Sequence, residues 1–321
     1  MINPQNEFTR TLKQFLGKHF WPGINLLICG VAIAFVWQKF RRLNWAMVWD
    51  NLNHLAIGQL GLAGFFVLCS YGAIANYDLL AFRYLKRNLA CYKIAFAGLV
   101  TYAISPNVGF AFLSGSVLRY RLYRHWQVSH LDIAQVIAFS NLTLWVGLLP
   151  VSGLIFSFFD FPLPAAIQLP IFSQSFKDFG IFCLLLSALY SIGTLIFRRP
   201  LTWKNYQFHF PSWWISLQQV LTFSLDWGFA ALALYGLLGA PMAFPRFFGI
   251  YVLAMVAGLV STIPGGLGVF ETVMLFFLVS NQAEERILAT LIVFRALYYL
   301  LPFAIAVAAL LYFEYRQSKR A

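Results

Sequence analysis

The chain has 321 residues, of which 60% are hydrophobic and only 11% charged, where a soluble domain carries about 25% charge. That balance excludes a water-soluble enzyme or nucleic-acid-binding domain and leaves an all-α polytopic membrane protein, a single integral membrane domain over 1–321. The net charge of +12 then reads as basic loops that orient spans and meet anionic headgroups, not as a nucleic-acid footprint.

In chain order, residues 1–22 form a basic amphiphilic lead carrying Arg10, Lys13 and Lys18, expected at the interface. No cleavable signal peptide is expected, because the apolar run from Ile24 lacks a small-residue cleavage site. A first, short span is predicted over 23–38. Lys39, Arg41 and Arg42 follow, then an aromatic surface stretch and a second span over 56–80. After a basic loop from Arg83 to Lys93, the apolar segment 94–118 is interrupted at Ser105-Pro-Asn-Val-Gly109, centred on Pro106. Its halves are too short to cross a bilayer, which takes about 20 residues. Further spans are predicted over 130–159, 179–197, 215–238 and 287–313, with Pro150 and Pro302 as kink positions. The stretch 161–177 and 241–247 read as loops, and Arg198, Arg199 and Lys204 as a basic loop.

The segment 247–280 is broken more severely, by Ser261-Thr-Ile-Pro-Gly-Gly-Leu-Gly-Val-Phe-Glu271. Pro264 removes a helix N–H, and Gly265, Gly266 and Gly268 disfavour helix. Open backbone at membrane depth survives where protein buries it or where it lines a wet cavity. The rival reading is a tight turn outside the membrane. With both breaks re-entrant, the chain has six full spans and two hairpins entering from opposite faces, which suits an inverted repeat. The lead, the Arg83–Lys93 loop, Arg119–Arg124, Arg198–Lys204 and the tail then fall on the cytoplasmic side with both termini. Lys39, Arg41, Arg42, Lys177, Arg246 and Arg286 fall outside, the first three against the positive-inside rule.

Three charges stand inside apolar segments: Asp226, Glu271 and Arg295. A mid-bilayer charge costs roughly 2.5–3.5 kcal/mol, so Arg295 is expected to pair with Asp226 or Glu271, as a static ion pair or as a polar path for a headgroup. Arg119 and Arg121 are candidates for phosphate capture, or alternatively positive-inside anchors. Ser105, Asn107, Ser114 and Ser116 would satisfy opened backbone. Cys29, Cys69, Cys91 and Cys183 read as buried small apolar residues, with no metal or disulfide pattern. No nucleotide-binding loop or catalytic constellation is found, so no cofactor, no catalytic residue and no enzymatic activity are expected.

Ser105-Pro-Asn-Val-Gly-Phe110 with Ser114-Gly-Ser-Val-Leu-Arg-Tyr-Arg-Leu-Tyr123, the Ser261–Glu271 stretch, and Arg295-Ala-Leu-Tyr-Tyr-Leu-Leu-Pro302 together resemble the signatures of the lysylphosphatidylglycerol synthetase/flippase transmembrane-domain family. The resemblance runs over nearly the whole chain. It implies a bacterial inner-membrane protein that handles anionic or aminoacylated phospholipid, as a flippase, scramblase or lipid-binding protein. It adds Tyr298 to the candidate residues. The chain departs from fused members in lacking a soluble synthetase domain, so aminoacyl transfer from tRNA is not expected. The expected partner is membrane phospholipid. The alternative is a non-transporting subunit that docks or regulates an envelope-lipid enzyme. Homo-oligomerisation is left open.

Overall fold

The computed structural model describes residues 55–159, 161, 176–196, 201–203, 206–208 and 210–319, with 46, 49 and 50. The 1–22 lead, the 23–38 span, Cys29, Lys39–Arg42, Arg198, Arg199, Lys204 and most of the 161–177 loop lie outside the described residues. The fold is all-α apart from one two-stranded ribbon. Helices α1 (Ile57–Tyr84), α2 (Cys91–Val108), α3 (Ala111–His125), α4 (His130–Phe158) and α5 (Lys177–Ile196) are followed by β1 (Leu201–Trp203) and β2 (Tyr206–Phe208). Then come α6 (Trp213–Leu237), α7 (Phe244–Val260), a 3-10 turn (Pro264–Gly266), α8 (Val269–Leu278), α9 (Glu284–Arg295), a π turn (Ala296–Leu300) and α10 (Leu301–Ser318).

Among the described residues, five helices are long and apolar enough to cross a membrane: α1, α4, α5, α6 and the continuous α9–α10 rod. They are the five predicted spans that fall within the described residues. Two of them start at a serine that caps the helix, Ser129 accepting from the Asp132 N–H at 3.1 Å and Ser212 from the Ile215 N–H at 3.4 Å. Within the apolar segments, Ser105, Thr143, Ser191, Ser224 and Thr290 return their hydroxyls to the carbonyl four residues back. No polar side chain is thereby left to face hydrocarbon at those points.

α1 and α6 are the antiparallel centre of the bundle. The Phe66 and Phe229 rings lie 6.1 Å apart, and Ser70 bonds Asp226. α4 closes onto α6 where Gly147 admits Phe223: a Cβ at Gly147 would sit 2.1 Å from the Phe223 Cβ. Two apolar cores result. One joins α1, α6, α7, α8 and α9 through Leu234, Phe247, Tyr251, Phe270, Met274 and Phe294. The other joins α1, α2, α3, α4 and α10 through Phe82, Ile94, Leu122, Tyr123, Ile133 and Ala306. Outward faces such as Phe182, Leu185 and Leu189 on α5 stay exposed and apolar, as a lipid-facing surface requires.

Both broken segments are hairpins. In the first, α2 leads to α3 through Gly109 and Phe110. The Lys93 ammonium lies 5.8 Å from the Trp126 ring, and Arg87 bonds Asp132 at 3.0 Å, so the hairpin begins and ends beside the Tyr84 end of α1. In the second, α7 leads to α8. Asn281 donates to the Pro241 carbonyl at 3.2 Å and Gln282 to that of Leu238 at 2.7 Å, so this hairpin begins and ends beside the Leu237 end of α6. Because α1 and α6 are antiparallel, the two hairpins enter from opposite ends of the bundle. Their tips touch: a Cβ at Gly109 would lie 3.0 Å from the Pro264 Cγ.

Several details differ from expectation. The first break falls at Gly109 and Phe110, and Pro106 stays inside α2, because Gly109 reaches φ +86° where proline cannot. The stretch 241–247 is not all loop, since α7 starts at Phe244 with a proline in its first turn. The irregularity near Pro302 precedes it, as the π turn. Cys91 is exposed and Cys69 half-buried; Cys183 is buried as expected.

Two outcomes follow. Cysteines placed at exposed Arg121 and Ala283, with the native cysteines removed, will label from opposite sides of a sealed vesicle; labelling from one side breaks the opposed-hairpin arrangement. Gly147→Ala will lower the thermal unfolding midpoint of detergent-solubilised protein by the equivalent of about 1–3 kcal/mol, the cost of overpacking. Gly228→Ala, whose Cβ would meet nothing within 4 Å, will not.

Candidate functional site

The tip of the second hairpin is built by backbone that only glycine adopts cheaply. Gly265, Gly266 and Gly268 have φ of 59°, 60° and 83°. A Cβ on Gly266 would also stand 2.8 Å from the Gly258 Cα, so the tip can press against α7. Thr262, β-branched, is held at φ 57°, a conformation that costs free energy and persists where the surroundings enforce it. Glu271 closes the start of α8: its Oε2 accepts from the Gly268 N–H at 2.7 Å. Its Oε1 takes the Arg295 Nε, and Arg295 Nη1 donates to the Gly265 carbonyl at 2.9 Å. Arg295 also lies over the Tyr299 ring, 5.4 Å from its centroid. One arginine on α9 therefore grips both sides of the tip, and its Nη2 is buried with no hydrogen-bond partner. The expected choice between Asp226 and Glu271 as partner resolves to Glu271.

The first hairpin is fixed by a pair that sequence reading missed. Asp78 on α1 is fully buried and accepts from Arg119 Nε at 2.9 Å and Nη2 at 2.9 Å, from the Tyr123 hydroxyl at 2.7 Å and from Ser140 at 2.8 Å. Arg119 lies over the Tyr102 ring at 4.9 Å. A forked pair with every oxygen engaged is the arrangement in which burying two charges is tolerable. Arg121 points the other way, to an exposed pair with Glu314 at 2.7 Å, and Arg124 donates to the Val128 carbonyl. Arg119 and Arg121 therefore do not converge on one phosphate. They lie two apart on a helix, which puts them on different faces.

Asp226 stands between the hairpins near the middle of α6. Its Oδ1 accepts from Ser70 at 2.7 Å, with the Tyr298 hydroxyl at 3.5 Å, and its Oδ2 accepts from Tyr77 at 3.1 Å. Tyr298 belongs to the π turn. Pro302 has no N–H to offer the Tyr298 carbonyl, which is taken instead by the Tyr71 hydroxyl at 3.0 Å. Asn107 reaches the next freed carbonyl, that of Tyr299, at 3.4 Å and bonds its own Ala103 carbonyl at 2.9 Å. Asn107 is thus a backbone partner.

A cavity of about 280 Å³ lies where the tips meet. Arg119, Asp226, Gly265, Gly266 and Tyr298 line it, with Ser105, Thr101, Tyr71, Tyr77 and Tyr102. Pro264, Gly268, Glu271 and Arg295 shape the tip behind the wall, and Arg121 is remote. Thr101 is buried on this wall with its hydroxyl unpartnered. Phe110, Phe112 and Leu113 line the cavity and are also exposed, so it reaches the outer surface of the bundle there. Asp78 was visible as a lone charge within a predicted span. Tyr71, Tyr77 and Tyr102 carried no signal, since aromatic residues are common in apolar helices, and Tyr298 was reached only through the resemblance.

These elements define an all-α polytopic membrane protein with a cavity framed by two opposed hairpins. The chain belongs to the family of the uncharacterized protein slr0712 of Synechocystis sp., with 42% identity over 278 residues, 85% of this chain and 86% of that protein. It is similar to the inner membrane protein YbhN of Escherichia coli (strain K12), 27% identical over 299 residues and 91% of each chain. Phosphatidylglycerol lysyltransferase of Staphylococcus aureus is 28% identical over 266 residues, 80% of this chain and 29% of that protein. The resemblance expected from the three signatures is met at that level. No family model matches the chain.

Removing one partner of the Asp78–Arg119 pair leaves a buried charge unpaired. Asp78→Asn and Arg119→Gln will each cost about 3–5 kcal/mol of stability, and the double variant will cost less than their sum. Thermal unfolding across the four-member cycle measures it, and strict additivity contradicts the pairing.

Proposed function

We propose that this protein is a non-enzymatic lipid translocator of the bacterial inner membrane, which takes a phospholipid headgroup into the mid-bundle cavity and passes it between leaflets. One observation carries the reading: the cavity sits where two hairpins from opposite ends meet, and its lining includes the exposed residues Phe110, Phe112 and Leu113. Its volume is near the low end of small-molecule pockets, about 300–1,000 Å³, which suits a headgroup while the acyl chains stay in the bilayer. Opposed broken segments meeting near the midplane are the arrangement by which transporters expose one site to either side. The similarity to an inner membrane protein and to part of a phosphatidylglycerol lysyltransferase supports a lipid-related role and a substrate class of anionic or aminoacylated phospholipid. The Tyr84 end of α1 is assigned to the cytoplasm, because Arg83, Lys86, Arg87, Lys93, Arg121, Arg124 and the tail gather there.

Phosphate oxygens would meet Arg119 and the N–H groups that start α3, which no side chain caps. The Arg295–Glu271 grip would hold the second tip in place while the lipid passes. Vesicles containing purified protein and a fluorescent phosphatidylglycerol test this by the rate at which inner-leaflet label becomes open to a membrane-impermeant quencher. The wild-type protein will speed that exchange over protein-free vesicles. Arg295→Ala and Glu271→Gln will slow it about tenfold or more, the scale of a charge-assisted hydrogen bond worth ~1.5–3 kcal/mol. Exchange equal to protein-free vesicles in all three sinks the translocator reading and leaves the docking-subunit alternative.

A further inference from the structure

The other buried carboxylates among the described residues of the hairpins and spans each have an arginine, Asp78 with Arg119 and Asp132 with Arg87, and half-buried Glu271 holds Arg295. Asp226 has none among the described residues. Its contacts are the hydroxyls of Ser70, Tyr77 and Tyr298, all neutral. The other titratable groups facing it are also phenols: Tyr71 on α1, Tyr102 on α2, Tyr251 on α7 and Tyr299 in the π turn. Gln219 and Thr143, the polar pair between α6 and α4, bond each other at 2.8 Å. A lone buried carboxylate in this medium needs a compensating cation.

We propose that Asp226 is a coupling-ion site, which binds one monovalent cation, a proton or Na⁺, each time a headgroup enters the cavity. The inference rests on the translocator reading and adds its energy source. Asp226 lines the same cavity as the headgroup site. With its charge uncompensated it repels a phosphate there, and with a cation bound it does not, so cation and headgroup favour each other's binding. The connection to the moving parts runs through the π turn. Tyr298 touches the Asp226 cage with its hydroxyl, and its carbonyl is held by Tyr71. Three residues earlier, Arg295 grips Glu271 and the Gly265 carbonyl at the hairpin tip. Filling or emptying the Asp226 site shifts Tyr298, and the π turn passes that shift to the tip grip. Single π turns inside α-helices are frequent at such functional positions.

The test uses the same vesicles with fluorescent phosphatidylglycerol under an imposed pH gradient or, separately, an imposed Na⁺ gradient. The wild-type protein will accumulate label in one leaflet under one of the two, which names the ion. Asp226→Asn will lose the accumulation, with its thermal unfolding midpoint as the check that it folds, and Asp226→Glu will keep it. The proposal is overturned if Asp226→Asn accumulates label as the wild type does, or if the wild type equilibrates label and ignores both gradients, including where the rate follows only a headgroup amine. Carbodiimide modification of Asp226 in the purified wild-type protein, mapped by mass spectrometry, reads the site without transport. Modification that rises as pH falls or that Na⁺ suppresses supports the ion site even where no lipid moves, and that result would count against the translocator reading alone. An Asp226 inert at every pH and Na⁺ concentration overturns the ion site.

Discussion

In a bundle surrounded by hydrocarbon, a backbone group or a charge left without a partner has no water to turn to, and this constraint accounts for most of what is built around the two breaks. The second break and the π turn are each served by a side chain from a distant part of the chain, while the first break is served locally, by Ser114 donating to the Gly109 carbonyl at 3.1 Å. Arg295 reaches the Gly265 carbonyl across from α9, Tyr71 reaches that of Tyr298, and Asn107 that of Tyr299. The Ser261–Glu271 stretch looks irregular alone, but it is closed by Glu271 on its own Gly268 N–H and by one arginine from outside.

The same constraint ranks the charges. Asp78 with Arg119 and Glu271 with Arg295 are closed units, each pinning one hairpin to a long helix. Such pairs add little net stability, since desolvation offsets most of their attraction, but they fix where the hairpins sit. Asp226 lies between the two pairs, in a cage of hydroxyls shared by α1, α6 and the π turn. The cavity therefore has arginine-anchored walls at either end and one uncompensated carboxylate at its waist. That asymmetry separates a site able to respond to an ion from pairs whose charges are already matched.

The apolar cores follow the same division. One gathers around the second hairpin with α6 and α9, the other around the first with α1, α4 and α10. The cavity lies where the tips meet, and Gly109 packs against Pro264 there. α1 and α4 run through both cores, so alternate exposure of one site would come from movement of the glycine and proline tips and not from parting the two cores.

Chain order, span limits and the existence of both breaks were legible in the sequence, because a bilayer demands long apolar helices and punishes proline and glycine within them. Positions of the charges were legible too, with Asp78 overlooked inside a span that otherwise read as plain. Which charges pair was not. Arg119 and Arg121 look equivalent two residues apart, yet helix geometry sends one into the core and the other to the surface. Arg295 had two candidate partners, and its choice of Glu271 depends on the second hairpin folding back against α9. The tyrosine and serine cage of Asp226 joins residues 156 and 72 positions away in the chain. The sequence by itself determined which segments are long and apolar enough to cross and that two others are broken, since those follow from local transfer and backbone energies. Only the tertiary structure decided that the breaks meet tip to tip and that Asp226 has no arginine among the described residues, since both depend on how distant helices pack.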